Sequence, residues 1–141
     1  TSGIHSITTL IQLLHALASE KMKPLSSSKF IPAKGKQNEK RINKVFHYVQ
    51  KGFTEKITLQ EAAKTVHLSI SAFCKFFKRV SGKTFSDYVN EIRIAHACTL
   101  LIETDKPVSN IANECGFENL AYFNRVFLKK KKMQPGKYRK V

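Results

Sequence analysis

The sequence carries one helical pattern twice, in residues 59–88 and again in residues 108–138. In each copy a small Ala precedes a turn, aromatic residues follow at helical spacing, and a Tyr closes the pattern. One extra residue in the second copy shifts its later matches along by one position. The matched pairs are Ala63 and Ala112, Val66 and Cys115, Leu68 and Phe117, Phe73 and Phe123, Phe77 and Phe127, and Tyr88 and Tyr138. Each copy therefore predicts a short helix, a tight turn and a second helix.

Turn and cap chemistry gives the helix limits in the first copy. Thr58 and Glu61 have capping-box spacing, which places a hydroxyl and a carboxylate at the start of a helix. The turn centres on His67 here and on Gly116 in the second copy, and we expect a positive φ at both positions.

The second helix of the first copy is predicted over residues 71–80. Ser69 is its expected N-cap, and Gly82 is a good stop signal after its last turn. Its expected core face is Phe73, Phe76, Phe77 and Val80.

A long helix is expected to join the two copies. Thr84 and Asp87 have capping spacing, and the helical pattern continues to about Glu103. Pro107 marks the entry to the second copy, and Pro135 opens a final short helix. The expected apolar stripe of the long helix is Phe85, Tyr88, Val89, Ile92 and Ala95. The expected core of the second copy is Ile111, Ala112, Cys115, Phe117, Phe123, Val126 and Phe127.

No strand pattern appears, so the predicted fold class is all-α. We expect two helix-turn-helix subdomains joined by a long helix, homeodomain-like, with an extra N-terminal helix. The predicted domain covers residues 39–141 and opens with a helix over residues 39–51. Within it the first helix-turn-helix unit spans about residues 58–82, the linker helix 85–103 and the second unit 108–132.

Residues 1–38 are predicted to be a separate N-terminal helix and linker. Apolar residues at helical spacing predict a helix over residues 4–20, and Pro24, Pro32 and Gly35 indicate a linker after it. This helix is interpreted either as packing on its own chain or as a docking or dimerising helix of a missing upstream domain.

The charge balance favours a polyanionic partner. Lys and Arg number 25 against 10 Asp and Glu, and the formal net charge is +15 over 141 residues. Each phosphate that such a side chain neutralises releases a counterion, which favours binding to nucleic acid. Charge alone also fits a solvated basic surface or a membrane surface, but no apolar segment approaches the length of a membrane span.

The sequence lacks the residue patterns of enzymes, metal sites and disulfide frameworks. Its three Cys, at positions 74, 98 and 115, are odd in number and widely spaced, which argues against disulfides and a zinc cluster. The five His are scattered, and no Gly-rich phosphate loop is present. We therefore predict no catalytic residue, no metal and no cofactor, in a protein of the reducing cytoplasm.

The second helix of each copy has side chains suited to reading DNA. A helix in the major groove presents its N-terminal half to base edges. Arg125 is suited to guanine O6 and N7, and Asn124 to adenine. The predicted base-reading residues are Ser71, Ala72, Cys74 and Lys75 in the first copy and Leu120, Ala121, Tyr122, Asn124 and Arg125 in the second.

Basic residues follow each predicted reading helix and are expected to contact phosphates. Phosphate contacts position a protein on DNA without specifying the sequence. The predicted phosphate-contacting residues are Lys78, Arg79, Lys129, Lys130, Lys131 and Lys132.

Over about residues 41–139 the sequence resembles the AraC/XylS family of bacterial transcription regulators. The most specific part is IANECGFENLAYFNRVF, residues 111–127, continued by Pro135, Tyr138 and Arg139. EAAKTVHLS and FKRVSGKTFSDYVNEIRI in the first copy also agree with the family pattern. The base-reading positions of the family correspond to the residues predicted above, except Tyr122.

The resemblance implies a seven-helix unit that reads successive major-groove segments on one face of double-stranded promoter DNA. It also implies transcription activation through contacts with RNA polymerase. In many relatives an N-terminal sensor domain binds a small effector, and residues 1–38 would be the last piece of that domain. The full-length protein would then sense the effector through the missing domain, and a dimer is consistent with this arrangement.

Four positions depart from the family pattern. Ile70 stands where Pro is common, and Leu128 replaces a usual basic residue. Lys131 and Lys132 stand where Thr and Gly usually end the second reading helix. A Lys in a left-handed cap costs on the order of 1 kcal/mol, so the sequence leaves open whether such a cap forms or the helix runs on.

Two other function classes fit the sequence less well than a sequence-specific regulator. An architectural protein would coat DNA with little sequence preference, but Asn124, Arg125 and the unlike exposed faces of the two copies favour sequence reading. A fragment of a DNA-modifying enzyme is disfavoured because the metal and nucleophile constellations of such enzymes are missing.

Overall fold

Two apolar cores organise the part of the chain that the computed structural model describes, residues 33–141. This part contains seven helices and no strand, so the predicted all-α class and the two helix-turn-helix units are confirmed. The helix predicted over residues 4–20 lies outside the described residues. The helices are α1 (Ala33–Gly52), α2 (Leu59–Thr65), α3 (Ile70–Ser81), α4 (Phe85–Glu103), α5 (Val108–Glu114), α6 (Leu120–Lys131) and α7 (Pro135–Lys140).

The first core joins α1, α2, α3 and the beginning of α4. Its centre is aromatic: the rings of Phe77 and Phe85 meet edge to face with their centroids 5.5 Å apart. Such aromatic pairs add to the free energy gained by burying their apolar area. The buried residues of this core are Ile42, Val45, Val49, Ala62, Ala63, Val66, Phe73, Phe76, Phe77, Phe85 and Val89.

The second core joins the later part of α4 to α5 and α6. Tyr138 of α7 packs against it, and its ring lies edge to face on Phe127 at 5.5 Å between centroids. The buried residues of this core are Ile94, Ala97, Cys98, Leu101, Ile111, Ala112, Cys115, Phe117, Phe123, Val126 and Phe127. Every residue predicted for the core of the second copy is therefore buried.

The predicted apolar stripe of α4 was partly wrong. Phe85 and Val89 are buried in the first core, but Ala95 is exposed and Ile94 is buried in its place. A single stripe fits a helix that packs on one side only. Helix α4 packs on two cores in succession, so its buried face changes direction between Ile92 and Ile94.

Two other expectations need correction. Val80, expected on the core face of α3, is 37% exposed, because it lies in the last turn, beyond the aromatic packing. Helix α1 begins at Ala33 rather than at about residue 39. Gly35, a linker signal in the sequence, lies inside this helix, because one Gly costs only about 1 kcal/mol and the rest of a 20-residue helix offsets that cost.

Side-chain caps begin the helices where the sequence predicted them. Thr58 Oγ1 accepts from the Glu61 amide at 3.2 Å, and Ser69 Oγ accepts from the Ala72 amide at 3.2 Å. Thr84 Oγ1 accepts from the Asp87 amide at 3.1 Å. These bonds satisfy amides that the first turn of a helix leaves without a partner.

The two turns have the predicted positive φ. His67 has φ 58° and Gly116 has φ 94°. Lys132 has φ 62° and ψ 16°, so α6 ends in a left-handed cap and does not run on. Gly82 occupies the same kind of cap after α3 with φ 81°. A Lys therefore holds a conformation in the second copy that a Gly takes at lower free energy in the first.

We predict that Lys132→Gly stabilises the protein by about 1 kcal/mol, because Gly relieves the left-handed strain. The matched control is Lys131→Gly, one residue earlier and inside the helix, where Gly destabilises by about 1 kcal/mol. Urea unfolding followed by circular dichroism measures both changes. A loss of stability in Lys132→Gly as large as in Lys131→Gly would contradict this interpretation of the cap.

Asn90 is a buried polar residue of α4, 8% exposed, and its Nδ2 donates to the Tyr122 hydroxyl at 2.9 Å. We predict that Tyr122→Phe lowers the free energy of unfolding by about 1–3 kcal/mol, because the Asn90 amide loses its acceptor. Tyr48→Phe is the control, since the Tyr48 hydroxyl donates to Glu61 at 3.0 Å in an exposed position. Equal losses in the two variants would argue against the Asn90 contact as the cause.

Candidate DNA-binding surface

Helix α3 presents the predicted base-reading side chains of the first copy to solvent. Phe73, Phe76 and Phe77 anchor the opposite face in the first core. The four predicted readers are exposed and lie in the first half of the helix: Ser71, Ala72, Cys74 and Lys75.

Helix α6 has the same arrangement in the second copy. Phe123, Val126 and Phe127 are buried, and Asn119 Oδ1 caps the helix by accepting from the Tyr122 amide at 3.0 Å. The residues predicted to read bases are exposed along its first half: Leu120, Ala121, Asn124 and Arg125. Both helices thus place unlike polar and small side chains above a shared aromatic scaffold.

Tyr122 differs from the other predicted base-reading residues. Its hydroxyl accepts from Asn90 of α4, and its ring centroid lies 6.0 Å from that of Phe117. The guanidinium carbon of Arg125 lies 5.4 Å from the centre of the Tyr122 ring, within the range of a cation–π contact. The structure therefore places Tyr122 between the linker helix and Arg125, with its hydroxyl already in a hydrogen bond.

The predicted phosphate-contacting residues follow the readers on both helices. Lys78 and Arg79 are exposed in the last turn of α3, and Lys129 and Lys131 are exposed in the last turn of α6. Lys132 is exposed in the left-handed cap, whereas Lys130 is only partly exposed.

The segment that contains α6 and α7 is strongly basic. Residues 120–141 include eight Lys and Arg and no Asp or Glu. The salt bridges within residues 33–141 are Lys83 with Glu91 and Lys106 with Glu114, so none uses a predicted phosphate-contacting side chain. These cations are therefore available to a polyanion.

The three cysteines are free thiols in different surroundings. Cys74 is exposed on α3, while Cys98 and Cys115 are buried in the second core. Burial raises the pKa of the Cys115 thiol to about 12, so this thiol stays protonated near neutral pH.

Within residues 33–141 no group of three His, Cys, Asp or Glu side chains is placed to hold a metal ion. No helix in the same part of the chain is long and apolar enough to cross a membrane.

Sequence reasoning missed three polar residues whose hydrogen bonds help to fix the helical scaffold. They are Asn119, the N-cap of α6, Asn90, which binds Tyr122, and Arg93, which donates to backbone oxygens 40 and 38 positions earlier in the chain. An Asn directly before a helical pattern is a cap signal, so Asn119 could have been found. The partners of Asn90 and Arg93 are distant in sequence, and no local pattern indicates them.

Comparison with protein families gives a match to a helix-turn-helix domain over residues 62–141, which is more than half of the chain. A Bacillus subtilis protein described as a bifunctional transcriptional activator and DNA repair enzyme, AdaA, is 33% identical over 100 residues. That match covers 71% of this chain and 47% of the relative. The chain thus spans less than half the length of this curated relative.

Solved structures share the fold. The C-terminal domain of the response regulator yesN from Fusobacterium nucleatum is 29% identical, with a TM-score of 0.66, and the match covers 72% of this chain and 98% of that one. The DNA-binding domain of AdpA, solved with a target DNA, has a TM-score of 0.66 and covers 70% of this chain and 89% of its own. At 21% identity the AdpA domain supports the fold alone.

The duplicated helix-turn-helix motif, the exposed faces of α3 and α6, the family match and the aligned regulators agree with one another. The chain belongs to the AraC-type family of helix-turn-helix transcription regulators.

Proposed function

We propose that α3 and α6 enter successive major-groove segments on one face of double-stranded promoter DNA and read its sequence. The observation that carries this proposal is the same in both copies. Each second helix buries an aromatic face, exposes unlike side chains along its first half and ends in free basic residues. This is the arrangement that a groove-reading helix needs, with base edges beside its N-terminal half.

The proposal divides the exposed residues between two tasks. In α6, Arg125 and Asn124 recognise bases through paired hydrogen bonds, and Leu120 and Ala121 contact thymine methyl groups. In α3, Lys75 is the charged reader, while Ser71, Ala72 and Cys74 provide smaller contacts. The basic residues at the helix ends bind phosphates: Lys78, Arg79, Lys129, Lys130, Lys131 and Lys132.

Tyr122 takes a different task in this proposal. Because its hydroxyl is bonded to Asn90, its ring supports Arg125 from below and limits the directions in which the guanidinium points. An oriented guanidinium loses less conformational entropy when it pairs with guanine.

The regulatory part of the proposal concerns the longer protein. Residues 39–141 would be the DNA-binding domain, and residues 1–38 would connect it to a sensor domain for a small effector. Once bound to promoter DNA, the protein would contact RNA polymerase and activate transcription. This is in line with the activator description of the aligned Bacillus subtilis relative. A dimer of the longer protein and a cytoplasmic location, where bacterial DNA lies, complete the proposal.

Selection from random duplexes tests the proposed sequence reading. The proposal predicts a preferred sequence that binds at least ~10³-fold more tightly than random duplex at physiological salt. Equal affinities for selected and random duplexes would contradict it and favour an architectural role, in which the protein coats DNA with little preference.

Two substitutions in α6 separate base reading from phosphate binding. We predict that Arg125→Ala loses about 1–3 kcal/mol of binding free energy and relaxes the preference at one base pair. Lys129→Ala should instead weaken binding to all sequences alike and reduce the slope of log affinity against log salt by about 1. Titrations of selected and point-changed duplexes at several salt concentrations measure both effects. Unchanged sequence preference in Arg125→Ala would contradict the assigned role.

A further inference from the structure

One side chain of α4 reaches across from the linker helix to the first subdomain. Arg93 Nε donates to the Phe53 carbonyl oxygen at 2.8 Å, and its Nη2 donates to the Glu55 carbonyl oxygen at 3.0 Å. Phe53 and Glu55 belong to the segment between α1 and α2. Arg93 itself lies between Ile92, which packs on the first core, and Ile94, which is buried in the second.

The same guanidinium also contacts the second subdomain. Its central carbon lies 5.7 Å from the ring centroid of Phe117, which is buried in the second core. Partial burial lowers the pKa of Arg93, but an arginine so placed stays charged at neutral pH. Arg93 thus joins the loop before the first helix-turn-helix to the turn of the second.

The two subdomains approach each other closely at this point. A Cβ added at Gly116 would lie 2.4 Å from the Phe53 carbonyl oxygen and 2.9 Å from Arg93 Nε. Gly is therefore required at position 116 for two reasons: the site has no room for a Cβ, and the backbone has a positive φ of 94°. Such close packing leaves the contact around Arg93 little freedom to slide.

We propose that Arg93 is a positioning residue that holds the two reading helices at one separation and orientation, and so fixes the spacing between the two DNA segments they read. The part concerning DNA rests on the function proposed above. Arg93 acts through the α1–α2 segment and Phe117, and it reads no base itself. The planar guanidinium suits this task because it directs two donors at two fixed carbonyl oxygens, which an ammonium group does not do.

Arg139 offers a matched control. It also donates to backbone carbonyl oxygens, those of Leu101, Thr104 and Lys106, but all three belong to α4 and the segment that follows it. Arg139 lies on α7, so its bonds join elements of the second half of the molecule. Replacing it removes the same kind of interaction without touching the contact between the subdomains.

The first measurement is independent of DNA. Spin labels are placed on Cys74, the exposed native thiol of α3, and on a cysteine introduced by Lys131→Cys in α6, and the distance distribution is recorded by pulsed electron paramagnetic resonance. We expect one narrow distribution in the otherwise unchanged protein and in Arg139→Met. In Arg93→Met we expect a distribution at least about twice as wide, because the subdomains are then held only by α4 and the remaining packing. Equal widths in Arg93→Met and Arg139→Met would overturn the proposal.

The second measurement uses the duplex selected from the random pool and a copy with one base pair inserted between the two contacted segments. The insertion should lower the DNA affinity of the unchanged protein and of Arg139→Met by at least ~10-fold, because one reading helix loses its base contacts. Arg93→Met should bind the original duplex less tightly than the unchanged protein does. Its affinity should fall less than about 3-fold when the base pair is inserted. The same insertion loss in all three proteins would overturn the proposal.

Arg93→Lys keeps the charge and serves if Arg93→Met does not fold. We expect the width of its distance distribution to lie between that of the unchanged protein and that expected for a protein without the Arg93 contact. Its loss of DNA affinity on insertion should be intermediate in the same way. Values equal to those of the unchanged protein would overturn the role of the two-donor contact. If the unchanged protein prefers no duplex, the proposed sequence reading fails, while the distance measurement still decides whether Arg93 holds the subdomains.

Discussion

The burial of α4 in two cores is the constraint on which the rest of the described structure depends. Its first part completes the aromatic core beneath α3, and its later part completes the core beneath α6. Neither short helix-turn-helix unit has a large core of its own, so each gains stability from apolar area that α4 supplies. The same helix that stabilises both units also determines how far apart α3 and α6 lie.

The duplication conserves the scaffold between the copies and leaves the exposed face free to differ. Phe73 and Phe77 of the first copy match Phe123 and Phe127 of the second, and all four are fully buried. Above them the first copy exposes small residues and Lys75, whereas the second exposes Asn124 and Arg125. In the proposed function, these unlike side chains fit an asymmetric DNA site better than a palindrome.

Local chemistry made much of this fold predictable from the sequence. Thr58, Ser69 and Thr84 cap helices through amides three residues away, so their pattern is complete within a few positions. The apolar stripe of α4 is harder to predict, because its direction depends on two cores formed by distant segments. The bonds of Arg93 and Asn90 span 40 and 32 positions, and only the folded chain shows them. The caps that begin the helices can thus be predicted locally, but the long-range bonds that fix the helices relative to one another cannot.

The central claim is that one frame, built on α4, presents two reading helices to the same face of a duplex. Hydroxyl-radical cleavage of a selected duplex bound to the protein tests this claim most directly. We expect two protected patches on one face of the DNA, with centres about one helical turn, or 10–10.5 base pairs, apart. A single patch, or even protection around the whole duplex, would contradict it.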